Sequence, residues 1–113
     1  MFVELTDIKN RVVASLTAEL KKESTFDADL LDAKVEAAIL EIQSIRSYPK
    51  SYTAAMIEED MEKFVSNIRG VALYDYNQIG AEYQTASTEN GISRTYMSRS
   101  RLLYGVRPLA VVL

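Results

Sequence analysis

The chain has 113 residues, of which 48% are apolar and 26% charged, with a net charge of −3. That length fits one domain, and the composition is that of an ordinary globular chain. Cysteine, histidine and tryptophan are all absent, which excludes disulfides, thiolate chemistry, cysteine-based metal sites and the usual general base near neutral pH.

A first helix is predicted over about residues 6–23, with Thr6 or Asp7 as the capping residue that accepts N–H bonds from the first turn. Ile8, Val12, Leu16 and Leu20 recur every fourth position, while Lys9, Arg11, Glu19 and Lys21 fall on other faces. Lys21 and Lys22 suit the negative end of the helix dipole. A second helix is predicted over about 27–47, beginning near Thr25 or Asp27. Leu31, Val35, Ala38, Ile42 and Ile45 make one continuous stripe along it. Ser47-Tyr48-Pro49 ends it, because proline lacks a donor and disfavours helical geometry in the residue before it.

The third and longest helix is predicted over about 53–79. Glu58, Glu59, Asp60 and Glu62 lie in its early turns, where the dipole favours negative charge. Its apolar stripe is Ile57, Met61, Phe64, Ile68 and Val71 or Ala72. Gly70 inside the helix costs about 1 kcal/mol against alanine, so it marks a close crossing or a kink. Gly80 fits a left-handed cap at the end.

Beyond Gly80 the helical period is lost, and Asn90-Gly91 signals a β-hairpin over about 82–97. Both central positions of a type I′ turn need positive φ, which Asn and Gly tolerate. Folding about that turn pairs Ser87 with Arg94, Ala86 with Thr95 and Thr85 with Tyr96. So polar a ribbon is marginal alone and is expected to project or to be held by a neighbouring molecule. In the closing segment, 98–113, Ser98 or Ser100 caps one helical turn through Leu102, Leu103 and Tyr104, stopped by Gly105. The stretch from Pro108 to Leu113 is apolar and is expected to dock in the core or on a partner. The expected fold is mainly α, as a single domain over 1–113. It has a three-helix core, a projecting β-hairpin and a short C-terminal helix with an extended tail.

Charge is unevenly placed. Residues 1–62 hold 13 acids and 7 bases, whereas residues 63–113 hold 3 acids and 6 bases. Such polarity favours head-to-tail association or a surface held near nucleic acid; the plainer reading is arginines pairing with the chain's own acidic helices. Tyr74, Tyr76, Tyr83, Tyr96 and Tyr104 gather in the basic half, where core and rim packing, an interface, or base stacking would each use them. Glu58 and Glu62 share a helix face and could hold a hard cation, but a solvated acidic face is the commoner use of such a run. The four glycines are too scattered for a phosphate loop, and no nucleophile–base arrangement can be built, so an enzyme is not expected. With no signal-peptide pattern and no apolar run near about 18 residues, neither export nor a membrane span is expected.

The run Tyr76-Asn77-Gln78-Ile79-Gly80-Ala81-Glu82, the segment Ser87-Thr88-Glu89-Asn90-Gly91-Ile92-Ser93-Arg94-Thr95-Tyr96, and Leu102-Leu103 leading to Pro108 carry a likeness to a known family. They resemble the head–tail connectors of tailed phages and prophages, small adaptors also described as DNA-packaging or head-completion proteins. Leu30-Leu31 and Val35-Glu36-Ala37-Ala38 resemble the family's second helix, so the likeness covers most of the chain. The most distinctive part is Glu-Asn-Gly-Ile-Ser-Arg-x-Tyr after a long helix.

The resemblance implies a virion structural protein without catalytic residues or cofactor, assembled in the bacterial cytoplasm and placed at the head–tail junction. It implies a homo-oligomeric ring of about twelve copies beneath the portal, the closed form of a head-to-tail contact. Its partners would be identical copies, the portal protein and the next head-completion or tail protein. DNA would pass through the channel without sequence-specific contact, and no membrane is involved. Glu89, Asn90, Gly91, Arg94 and Tyr96 are the expected inter-subunit or channel-lining positions. Arg99, Arg101, Arg107, Leu109, Val111 and Leu113 are the expected contacts to the portal or a neighbour. The rival from another class is a small helical nucleic-acid-binding regulator that lays the Arg/Tyr half on phosphate, with steeply salt-dependent affinity.

Overall fold

A computed structural model of the protein describes residues 2–81 and 99–109. The hairpin expected over 82–97, including Glu89, Asn90, Gly91, Arg94 and Tyr96, lies outside the described residues, as do Val111 and Leu113. What is described is mainly α, with no strand.

Helix α1 spans Thr6–Leu20. Its N-cap is Leu5, with no side-chain cap bond, in place of the expected Thr6 or Asp7. Leu5 is itself buried, so apolar burial rather than a polar cap fixes where the chain enters the helix. Asp7 sits inside the first turn and pairs with Arg11 at 3.1 Å. The helix stops at Leu20, the last buried position of its stripe, and the exposed residues beyond give it no packing reason to continue.

Helix α2 spans Ala28–Arg46, capped by Asp27, whose carboxylate accepts from the Leu30 N–H at 3.0 Å. It ends at Ser47 in the left-handed region, φ 52°, just before Pro49. Leu31, Val35, Ala38, Ile39 and Ile42 are buried along it.

The long third helix is interrupted. Helix α3 covers Ala54–Met61, capped by Thr53 Oγ1 to the Met56 N–H at 3.2 Å. A 3₁₀ turn, Glu62–Phe64, follows, and helix α4 takes over at Val65–Ala81. No glycine or proline causes this. Met61 and Glu62 stay right-handed, with ψ of −21° and −29°, so the turn is tightened and not broken. Gly80 lies within α4, so it is not the left-handed cap expected of it. A short helix, α5, spans Arg99–Leu102 and ends near Gly105, whose φ of 89° needs a residue without a side chain.

Helices α1, α2 and α4 enclose the core. Ile8, Leu16, Leu31, Ile42, Ile57, Met61 and Ile68 are all fully buried in it. Gly70 serves a close approach: a Cβ there would lie 3.2 Å from Leu102 Cδ2 of α5. Gly70→Ala is expected to shift the thermal midpoint by only a few degrees. The propensity gain of about 1 kcal/mol is set against a small displacement of the flexible Leu102 side chain. Gly70→Leu is expected to lower the midpoint clearly, since the added volume displaces α5 from α4.

Candidate functional site

The expected portal or neighbour contacts that fall within the described residues belong to the segment 99–109, and the helical body grips that segment at four places. The first is Arg99. Its Nε and Nη2 donate to Asp75 on α4 at 2.9 and 2.8 Å, and its Nη1 and Nη2 donate to Glu41 on α2 at 2.8 and 2.6 Å. One guanidinium thus serves two carboxylates from two helices, a use that suits its planar fork. These hydrogen bonds hold the Glu41 carboxyl below its ordinary 4.5, against the opposing pull of partial burial.

The second grip is the Gly70–Leu102 contact. The third is Asn67, whose Nδ2 donates to the Leu102 carbonyl at 2.8 Å and to the Tyr104 carbonyl at 3.4 Å. The fourth is Arg46 at the end of α2. Its Nη1 donates to the Arg107 carbonyl at 3.0 Å, and its own carbonyl accepts the Leu109 N–H at 2.9 Å.

The same Arg46 anchors a polar network in the core. Its Nε and Nη2 donate to Asp60 at 2.8 and 2.9 Å. Tyr48 donates its hydroxyl to Asp60 at 2.5 Å, and the guanidinium lies 5.0 Å from the Phe64 ring centroid. The side chains of Arg46 and Asp60 are only 11% and 8% exposed. Burial, then the neighbouring Asp60 carboxylate, pushes the Tyr48 hydroxyl upward. Burial alone would raise the Asp60 carboxyl, but the bonds from Tyr48 and Arg46 outweigh it and hold that carboxyl low. The group acts as a structural clamp, and among the described residues no buried side-chain polar atom lacks a partner.

Placement of the expected contacts follows. Arg99 pairs with Glu41 and Asp75 of its own chain while its side chain stays 35% exposed. Leu109 is half-buried against the core. Arg101 and Arg107 are exposed. Tyr76 is buried and accepts the Asp27 N–H on its hydroxyl at 2.9 Å, whereas Tyr104 is 82% exposed. Glu62 pairs with Arg11, so the Glu58–Glu62 face is not an open cation site. Among the described residues no group of three or more acidic side chains could hold a metal ion, and no helix is long and apolar enough to cross a membrane.

The sequence reading missed Asp60 and Gln43 as interior groups. Gln43 is 1% exposed and holds the chain start, accepting the Val3 N–H at 3.1 Å and donating to the Val3 carbonyl at 3.0 Å. Both were findable from spacing. Asp60 stands three residues after Ile57 and four before Phe64, and Gln43 four after Ile39, so each falls on the apolar face.

The Arg99 clamp has a definite pH dependence. Glu41 is lowered in the folded chain, so its contribution is present above the ordinary 4.5 and fades as pH falls below it. Glu41→Gln is therefore expected to unfold at lower urea concentration than wild type at about pH 7, with the gap narrowing as the pH is lowered below 4.5.

Comparison with known proteins finds no matching family model, no matching curated protein and no matching solved structure.

Proposed function

We propose that the chain is a structural head–tail connector subunit of a phage or prophage. In this reading it assembles as a ring of about twelve copies under the portal and extends the DNA channel toward the tail, a closed head-to-tail assembly. The observation that carries the proposal is the motif Glu89-Asn90-Gly91-Ile92-Ser93-Arg94-x-Tyr96 following a long helix.

The described structure supports it in two ways. The described body is a helical bundle whose core is mostly apolar, with the buried polar side chains of Gln43 and Asp60 hydrogen-bonded inside it, as suits a scaffold. Moreover, the stretch that carries the motif departs after Ala81 at the end of α4 and returns at Arg99, which is tied back to Asp75 on the same helix. The described residues flanking 82–98 are thus both at α4, which supports a role for the stretch between them in meeting a neighbour. Arg99, Arg101, Arg107, Leu109, Val111 and Leu113 are the portal or neighbour contacts of this reading, and Arg101 and Arg107 stand exposed on the described segment. Glu89, Asn90, Gly91, Arg94 and Tyr96 are its inter-subunit or channel-lining groups.

Native mass spectrometry at high protein concentration, with and without a purified portal protein, tests the proposal. The expected result is a ring-sized mass, either alone or on addition of portal. A chain that remains monomeric with portal, yet binds free duplex with an affinity falling steeply as salt rises, would establish the nucleic-acid-binding regulator instead.

A further inference from the structure

A groove of about 390 Å³ runs between residues 2–6, the start of α1 and the outer face of α2. Its lining is mixed. Phe2 and Leu40 line it at 56% and 43% exposed, and Glu4, Asp32 and Glu36 set three carboxylates against one base, Lys9. Thr6 and Asn10 add neutral polar groups. Lys9 Nζ lies 3.1 Å from Asp32 Oδ2 and 3.2 Å from Glu36 Oε1, so one ammonium takes one oxygen of each acid. An ionised carboxylate accepts through both oxygens, and Asp32 and Glu36 are exposed, so the groove keeps capacity for further cationic donors. What it suits is an occupant that brings positive charge and apolar area together.

We propose that this groove receives segment 101–107 of a second copy, its Arg101 and Arg107 meeting the carboxylates and its Tyr104 ring lying against Phe2 and Leu40. Charge complementarity supports this occupant. Arg101, Tyr104 and Arg107 all stand exposed, and among the described residues neither guanidinium has an ion-pair partner. The fold keeps these arginines away from the groove acids of their own copy. Arg101 follows Arg99, which is held on Glu41, and Glu41 lies about 140° around α2 from Glu36. Arg107 is tied at its carbonyl to Arg46, about 21 Å along α2 from Asp32. Groups held apart in one copy can meet between two, as a heterologous contact in which groove and segment are different surfaces. Opposed charges of this kind fix register and suppress wrong pairings more than they add affinity. This contact rests on the connector reading, to which it adds the surface that accepts the segment.

Because the chain has no cysteine, engineered cysteines report on one pair at a time. Leu40→Cys and Tyr104→Cys, both at exposed positions, are mixed at high protein concentration, with and without a purified portal protein, and oxidised. Disulfide-linked heterodimers are expected to exceed homodimers of either variant severalfold. Adding Arg101→Glu and Arg107→Glu to the Tyr104→Cys chain is expected to cut the heterodimer yield roughly tenfold. Adding Lys21→Glu and Lys22→Glu instead, an equal change of charge at exposed positions on another part of the surface, is expected to leave the yield unchanged. An equal loss with the lysine changes overturns the proposal, as does a disulfide within one chain when Leu40→Cys and Tyr104→Cys are combined. Native mass spectrometry of the unsubstituted chain separates the two ways of failing. A ring-sized mass with no excess of heterodimers overturns the groove contact and leaves the ring standing. A chain that stays monomeric with portal, and unlinked, overturns both.

Discussion

Asp60→Ala is expected to lower the free energy of unfolding by about 3–5 kcal/mol, as measured by urea denaturation near neutral pH. The variant removes the carboxylate that takes two bonds from Arg46 and one from Tyr48, leaving a guanidinium that is only 11% exposed without its counter-charge. Breaking one side of such a pair is far more costly than the pair's net worth, because the stranded charge has been desolvated for nothing. The consequence reaches further than α3. Arg46 also holds the Arg107 carbonyl, so a guanidinium that swings toward water releases the C-terminal segment, and proteolysis beyond Leu102 is expected to accelerate in the same variant. Arg46→Met with Asp60→Leu is the informative companion. Replacing both charges by apolar groups of similar size is expected to recover much of the loss in stability while leaving the segment loose. A variant Asp60→Ala as stable as wild type would show that water reaches the site freely.

The second large effect is expected at Leu31. It is fully buried on α2 within the cluster that joins α1, α2 and α4. Leu31→Ala removes packed methyl groups and leaves a cavity that the surrounding helices can only partly close, at an expected cost of about 2–5 kcal/mol. Met56→Ala is the matched control. Met56 is 43% exposed, so its truncation is expected to change stability by less than about 0.5 kcal/mol. The urea midpoints of the two variants, with unchanged slope, give the comparison. A small effect at Leu31 would mean that α2 does not carry the core.

Spacing alone made the helical body legible. The four-residue recurrence of Ile8, Val12, Leu16 and Leu20 marks the buried side of α1, and Ser47-Tyr48-Pro49 marks the end of α2. The interruption at Glu62–Phe64 was not legible. The stripe Ile57, Met61, Phe64, Ile68 runs through it without a break, and a tightened turn leaves no mark when every residue keeps right-handed geometry. The true N-cap of α1 was hidden for a different reason. Capping rules read polar side chains, whereas Leu5 is placed by burial, a tertiary effect absent from local sequence. Pairing of Arg99 with Glu41 and Asp75 joins residues 58 and 24 positions apart, and charge counting along the chain shows only that such partners exist. Asp60 was obscured by its company: among Glu58, Glu59 and Glu62 it looked like one more solvated acid, although its helical phase set it apart.

The Arg99 pairs also set a salt dependence. Both acceptors sit on helices of the body, and the guanidinium side chain is 35% exposed, so dissolved ions screen the attraction in part. The hold on the start of α5 is therefore expected to loosen as ionic strength rises, well before the apolar contacts among α1, α2 and α4 give way.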